Sequence, residues 1–383
     1  MISSPKFSPR HDAALALADG RVFRGRAFGA DQDANGEAVF TTTMTGYQEV
    51  CSDPSFKGQI VCMTYPMIGN YGMADGDDES RRPWISGLIV REHCDTPSNW
   101  RNIGSIDAYL KANNIPGISG IDTRALTRHI RSVGDTRAVL VHHAADKSDD
   151  ELVALAQVAH IPGEEDVVGE VSDDTVHTEG PADGPHIVVL DCGVKRNIIR
   201  SLLNRGARVT SVPYGTHFAD IQALRPDGVI VSPGPGDPAN LDDGLDVVRG
   251  LLEAELPYFG ICLGHQLLAR AIGADTVKLK FGHRGGNHPV LDLRNDKVSI
   301  TAQNHGYMVQ NDSLPSGSGW SVALRNLNDS SVEGLYHESL PVLSVQFHPE
   351  ASPGPLDNGY LFDQFMAMVR ARIAAQQETD SCR

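Results

Sequence analysis

The chain has 383 residues, with 33 Lys+Arg against 49 Asp+Glu and a formal net charge of −16. That balance lacks the basic footprint that nucleic acid or an anionic membrane surface requires, though a local site can still hold a small anion. No apolar run reaches the roughly 18 residues of a spanning helix and no secretory h-region opens the chain, so a cytoplasmic protein of two or three domains is expected.

The first predicted element is a strand: the Ala/Leu patch before residue 19 runs into the turn Asp19-Gly20. VFTTTMTG (39–46) and QIVCMTYP (59–66) are rich in β-formers. Helices are expected from Ser105 to Leu110 and from Thr123 to Arg131, where Leu126 and Ile130 lie four apart on one apolar stripe. Ser148 and Glu151 have capping-box spacing ahead of a short helix, LVALAQV. Residues 161–185 contain eight acidic residues and no Lys or Arg. Such a segment has little to bury and repels itself into extension. The expected organisation is therefore a mixed α/β domain over 1–150, an acidic linker over 151–185 and a second domain over 186–383.

The second domain alternates strand and helix. HIVVLD (186–191) is a continuous apolar run, as in a strand buried on both faces. KRNIIRSLLNRG reads as a helix ending at Gly206. There follow a strand (RVTSVP), a helix (HFADIQAL), a strand (DGVIVS), a helix (LDDGLDVVRGLLEA) and a strand (PYFGI). This rhythm implies a doubly wound, mostly parallel sheet whose site lies at the carboxyl ends of the strands, after Leu190, Ser232 and Ile261.

Those positions hold unusual residues. Cys51, Cys62, Cys94, Cys192, Cys262 and Cys382 form no C-x-x-C pair, which argues against a disulfide framework or a Cys-rich zinc site. Cys262 alone stands in Gly260-Ile261-Cys262-Leu263-Gly264, after a strand and opening a helix. Glycines on either side permit a sharp elbow that exposes the middle side chain, and the helix dipole there stabilises a thiolate. A lone cysteine is more often a packed core residue; strand, elbow and helix in register are what favour a nucleophile. His265, three residues on, reads as packing. The base is sought elsewhere: the strand Val342–Phe347 ends in His348-Pro349-Glu350, where Glu350 can hold the imidazole in one tautomer. The sequence H-P-E alone could be only a turn. Ser232-Pro233-Gly234-Pro235-Gly236 follows DGVIVS. A backbone N–H of this loop, with that of Leu263, can stabilise an oxyanion.

Together, Gly260 to Gln266, the PGPGDP loop and His-Pro-Glu resemble the class I (triad) glutamine amidotransferases, whose domain is flavodoxin-like. DCGVKRNIIRSL, KFGHRGGNHPV and QNHGYMV, with MTGYQEVCSDPSFKGQIVCMTYPMIGNYG and GIDTRALTRHIRSVG in the first half, resemble the small subunit of glutamine-hydrolysing carbamoyl-phosphate synthetases. The resemblance implies a triad of Cys262, His348 and Glu350. It implies glutamine contacts from Ser55, Gly234, Gly236, Leu263, Gln266, Asn304, Gly306 and Tyr307. Pro233 stands where the family often has Asn, and Cys192 where it often has an aromatic residue.

The implied reaction releases ammonia from glutamine. No metal or redox cofactor is expected in this chain, and G-x-x-x-x-G-K-[ST] is absent. The resemblance assigns ATP, magnesium and bicarbonate to a separate large subunit, paired with this chain as a heterodimer or a higher oligomer of heterodimers. That complex makes carbamoyl phosphate for arginine and pyrimidine synthesis. The end at Arg383, soon after the amidotransferase half, leads to the expectation of a free-standing subunit. Three readings compete: an amidotransferase serving another synthase, a stand-alone cysteine hydrolase of γ-glutamyl peptidase type, and a regulatory module with a dead site.

Overall fold

The Ala/Leu patch forms the first strand, β1 (Ala13–Leu17), with all five residues buried. It is joined by β2 (Val22–Gly29), β3 (Ala34–Thr41), β4 (Gln59–Met63), β6 (Gly87–Ile89), β8 (Pro116–Ser119) and β9 (Thr136–His142). The seven close into a barrel in the order β1-β2-β8-β6-β4-β3-β9, while β5 (Met67–Ile68) and β7 (Glu92–His93) pair separately. Closure removes the unpaired edges that an open sheet would expose. Leu15, Leu17, Ile60, Val61, Leu88, Ile118 and Leu140 are fully buried, each worth about 1.5–3 kcal/mol of apolar burial.

The first helix is α1 (Tyr47–Ser52). Helix α2 (Ile106–Ala112) is capped by Ser105 and α3 (Thr123–Val133) by Asp122. Leu126 and Ile130 are the buried stripe of α3, as their spacing predicts. The expected capping box is formed at α4 (Asp149–Gln157), with Ser148 and Glu151 each bonding the other's backbone. Leu152 and Ala156 of α4 pack with Ala14, Ala16, Val139 and Val141 of β1 and β9.

The structure, a computed structural model, describes residues 11–160 and 167–381. The chain divides into two units. One takes residues 11–51, Gly58–Asp77 and 84–160; the other takes Ser52–Lys57, Asp78–Pro83 and 167–381. Two short pieces of the first third of the chain thus belong to the second unit. Of the acidic stretch read as a linker, 161–166 and their charges lie outside the described residues. The rest is structured: α5 (Val168–Val171) buries both valines, and β10 (His177–Glu179) adds an antiparallel strand to the sheet edge.

The second unit is built on that sheet. Its strands are β11 (His186–Asp191), β12 (Arg208–Pro213), β13 (Gly228–Val231), β14 (Tyr258–Ile261), β15 (Thr276–Asp292), β16 (Lys297–Val309), β17 (Trp320–Asn326), β18 (Val332–His337) and β19 (Val342–Val345). The order is β10-β12-β11-β13-β14-β19-β18-β17-β15-β16. The run β12-β11-β13-β14-β19 is parallel; the remaining pairings are antiparallel.

Helices are α6 (Arg196–Leu203), α7 (Phe218–Ala223), α8 (Asp242–Glu253), α9 (Leu263–Ala271) and α10 (Tyr360–Ser381). Alternation along β11 explains the double winding. Val188 and Leu190 face a core with Val248 and Leu251 of α8 and Leu267 of α9. Ile187 and Val189 face another, with Ile198 and Leu202 of α6 and Phe362 and Phe365 of α10. The strand order reverses between β11 and β13, and ligand crevices of such sheets open there, at the carboxyl ends.

Candidate functional site

The backbone between β14 and α9 turns sharply. Cys262 has φ 52° and ψ −100°, a conformation strained for a residue with a Cβ. Its glycine neighbours are required by contact. A Cβ on Gly264 would lie 2.2 Å from the Val231 carbonyl oxygen, and one on Gly260 2.8 Å from the Gly264 carbonyl. The elbow is held by Cys262 N–H donating to the Val345 carbonyl (2.8 Å) and Tyr258 O–H to the Gly264 carbonyl (2.7 Å). Cys262 is 2% exposed, and its Sγ lies 3.7 Å from both the Asn304 carbonyl oxygen and the Gln346 amide nitrogen. It opens α9, whose first N–H groups have no intrahelical acceptor.

His348 follows β19, the parallel neighbour of β14, so both side chains emerge at one sheet edge. Its N–H donates to the Ala302 carbonyl (2.8 Å), and Nδ1 meets Glu350 Oε1 at 2.6 Å. Nε2 is buried without a hydrogen-bond partner. Burial lowers the pKa of His348, but the Glu350 carboxylate and the Cys262 side chain outweigh it, and the ring is held protonated above its ordinary range. Burial raises the pKa of Glu350; Lys195 and His348 outweigh that, and its carboxyl is held low.

Lys195 was not singled out by sequence. Its side chain is 2% exposed, with Nζ 3.1 Å from Glu350 Oε1. Nζ also donates to the Ala351 carbonyl. The available signal was its position just past the carboxyl end of β11, directly before Arg196. On the same turn, Asp191 Oδ1 accepts from the N–H groups of Gly193 and Val194 (2.9 and 2.7 Å), and burial raises its pKa. Ser232 Oγ accepts from Cys192 N–H (2.9 Å), tying this turn to the loop after β13.

That loop needs its glycines. A Cβ on Gly234 would lie 2.1 Å from the Cys192 carbonyl oxygen and 2.8 Å from Leu263 Cδ2; Gly236 has φ +90°. The loop backbone therefore packs against the first residue of α9.

Gln266 and Asn304 are two of the implied glutamine contacts. Their nitrogens are already used. Gln266 Nε2 donates to the Tyr307 carbonyl (2.9 Å) and Gln346 Oε1 (3.1 Å), and Asn304 Nδ2 to Asp53 Oδ2 (2.8 Å). The two side-chain oxygens are left as acceptors, a match for an α-ammonium. Asp53 Oδ1 also takes the N–H of Ser55 (2.9 Å), so one carboxylate fixes both. Ser55 Oγ is buried and without a hydrogen-bond partner. Asp53 and Gln346, like Lys195, are residues that sequence reasoning missed. Gly306 lies beside Arg284, whose Nη2 would be 3.6 Å from a Cβ there.

His265 is core, as expected: it is 0% exposed, with Nδ1 2.5 Å from Ser344 Oγ and its pKa pushed down to about 3 by burial. Cys51, Cys62, Cys94, Cys192 and Cys262 are free thiols, and Cys382 lies outside the described residues. Among the described residues no helix is long and apolar enough to cross a membrane.

Residues 188–368 match the family Glutamine amidotransferase class-I, and residues 15–140 match Carbamoyl-phosphate synthase small chain, CPSase domain. The Carbamoyl phosphate synthase small chain of Listeria monocytogenes serotype 4b is 49% identical over 358 residues, covering 94% of this chain and 97% of that protein. The protein of that name from Syntrophotalea carbinolica is 49% identical over 378 residues, covering 95% and 99%. The Carbamoyl phosphate synthase pyrimidine-specific small chain of Bacillus subtilis is 46% identical over 355 residues, covering 93% and 95%.

Proposed function

This chain belongs to the carbamoyl phosphate synthase small chain family, and we propose that it works there as a Cys-His-Glu glutaminase. Supporting this are the strained backbone at Cys262, at the carboxyl end of β14, and the buried His348–Glu350 pair that follows the adjacent strand β19. Cys262 Sγ attacks the side-chain amide carbon of glutamine. The carbonyl oxygen takes the negative charge, facing N–H groups of Leu263 and the Gly234 loop. His348, cationic and oriented by Glu350, gives its proton to the departing ammonia and leaves a γ-glutamyl thioester. The neutral ring then takes a proton from water, which attacks the thioester; glutamate leaves and the thiol is restored.

Ser55, Gln266, Asn304, Gly306 and Tyr307 form the wall that holds the amino-acid end, with Gly236 shaping the loop opposite. Ammonia passes to a large subunit that binds ATP and magnesium and makes carbamoyl phosphate from bicarbonate in the cytoplasm, for arginine and pyrimidine synthesis. The complex is a heterodimer, or a higher oligomer of heterodimers.

The test uses this chain with its large subunit. Cys262→Ser is expected to make no carbamoyl phosphate from glutamine, yet to make it from ammonium salt at the wild-type rate. Serine is nearly isosteric, but its hydroxyl stays protonated near neutral pH. Loss of the ammonia-dependent rate in an assembled complex would overturn these roles. Rapid glutamine turnover by the chain alone would favour a stand-alone hydrolase.

A further inference from the structure

Behind the strand that carries Asn304, Gly306 and Tyr307, the hairpin β15–β16 gathers buried groups that the glutaminase chemistry does not use. Its register breaks between Lys278 and His283 and again between Gly285 and His288. His283 Nε2 meets Asp329 Oδ2 at 2.8 Å. A carboxylate in that place keeps the proton on Nε2, so Nδ1 is a lone pair. Nδ1 is buried without a hydrogen-bond partner, 3.8 Å from Glu333 Oε1.

His305 has the complementary problem. Its Nδ1 lies 2.7 Å from the Tyr307 carbonyl oxygen, which can only accept, so Nδ1 carries the ring proton. Its Nε2 then sets a lone pair against Gln303 Oε1 at 2.9 Å. Turning the Gln303 amide over only moves the clash. Its nitrogen now donates to Glu333 Oε2 at 2.9 Å, and the turn would put two oxygens face to face there. Glu333 is 0% exposed, and its other hydrogen-bond donor, Asn326 Nδ2 at 2.8 Å, is also a neutral amide. A proton on His305 Nε2 would resolve one contact and leave His283 Nδ1 unanswered. A cation among the lone pairs resolves both.

We propose that His283, His305 and Glu333, with the Gln303 side-chain oxygen as fourth ligand, hold one divalent transition-metal ion, for which zinc is the best fit. One ligand atom from each of the three residues lies within 4.8 Å of the others, and all three residues are buried. Zinc bonds of about 2.0–2.2 Å place tetrahedral ligands about 3.4 Å apart, so atoms within 4.8 Å of one another complete the shell by inward shifts of less than about 1 Å each. Two imidazole nitrogens select zinc over magnesium or calcium, and a carboxylate oxygen is a ligand zinc also takes. Asp329 behind His283 and the Tyr307 carbonyl behind His305 set each ring's tautomer, as outer partners of metal ligands do. The ion with the Asp329 and Glu333 carboxylates is electrically neutral, which burial favours. Arg284, the neighbouring cation, donates Nη1 to the Phe281 carbonyl (2.8 Å). A four-ligand buried site has no open position for substrate, so the ion is structural. It pins the irregular hairpin, and the inference stands independently of the glutaminase reading.

The experiment is metal analysis of the untagged full-length chain, purified from zinc-supplemented cells and dialysed into metal-free buffer. About one zinc per chain is expected. His283→Gln and Glu333→Gln are expected to lose at least nine-tenths of it, while Cys262→Ala keeps it. Stripping the wild-type chain with a chelator is expected to lower its thermal midpoint, and zinc to restore it; His283→Gln shows no such response. A wild-type chain that neither carries zinc nor takes it from a chromophoric chelator would overturn the site. So would zinc that survives both ligand substitutions or departs with the Cys262 thiol.

Discussion

Lys195→Met removes an ammonium from the buried Glu350 carboxylate and keeps most of the side chain's volume. The pair is 3.1 Å apart, with side chains 2% and 0% exposed. At an effective permittivity of about 20 the attraction is about 5 kcal/mol. Removing one partner of a buried pair costs about 3–5 kcal/mol, because the other charge stays behind. At about 2–4 °C per kcal/mol, the thermal midpoint is expected to fall by about 10 °C. Activity carries a second signature. Burial works to raise the pKa of Glu350, and Lys195 and His348 hold it down to about 2. A depressed carboxyl contributes stability above its unfolded value, near 4.5, and that contribution is lost as pH falls toward about 2. Without Lys195 the effect of burial is less opposed. Glu350 then protonates at higher pH, and the acid limb of glutaminase kcat/KM moves upward. The assays are a thermal melt and a pH profile of glutamate release from the complex. An unchanged midpoint together with an unchanged acid limb would refute the view that this lysine holds Glu350 ionised.

Two further outcomes follow from the site. Ser55→Ala removes a buried hydroxyl with no hydrogen-bond partner, so stability is expected to hold while KM for glutamine rises about 2–10-fold, the worth of one hydrogen bond. Steady-state kinetics showing an unchanged KM would take Ser55 out of the glutamine wall. His348 is opposed by burial yet raised to about 10 by Glu350 and Cys262. A raised pKa means stability that is full below the unfolded value of 6.5 and declines as pH climbs toward about 10. Urea unfolding from pH 6 to 10 should show that decline in the wild type and a flatter line in His348→Asn; parallel curves would contradict it.

Much of the fold was legible because its signals are local. The apolar run at 186–191, the strand–helix alternation after it and the glycine-flanked Cys262 each report a backbone requirement of a few neighbouring residues. The glycines of the elbow turn out to be demanded by distances of 2.2 and 2.8 Å to neighbouring backbone. The class-I family match over 188–368 agrees with the βα rhythm read from that region. The long hairpin β15–β16 was not legible as structure. Its 17 and 13 residues are mixed polar and apolar, and its bulges break the two-residue period on which strand recognition rests.

What the sequence by itself determined was the parallel core, the elbow and the chemical types at its rim, since burial on both faces and tight turns constrain residues where they stand. Which buried polar groups meet was decided by tertiary structure alone. Lys195 reaches Glu350 across 155 positions of chain and Asp53 holds Asn304 across 251. His283 and Glu333 come together only because β15, β17 and β18 lie side by side. The physical reason is that hydrophobic periodicity records which face of an element is buried. The partner a buried charge finds depends instead on strand order and register, which are properties of the folded sheet.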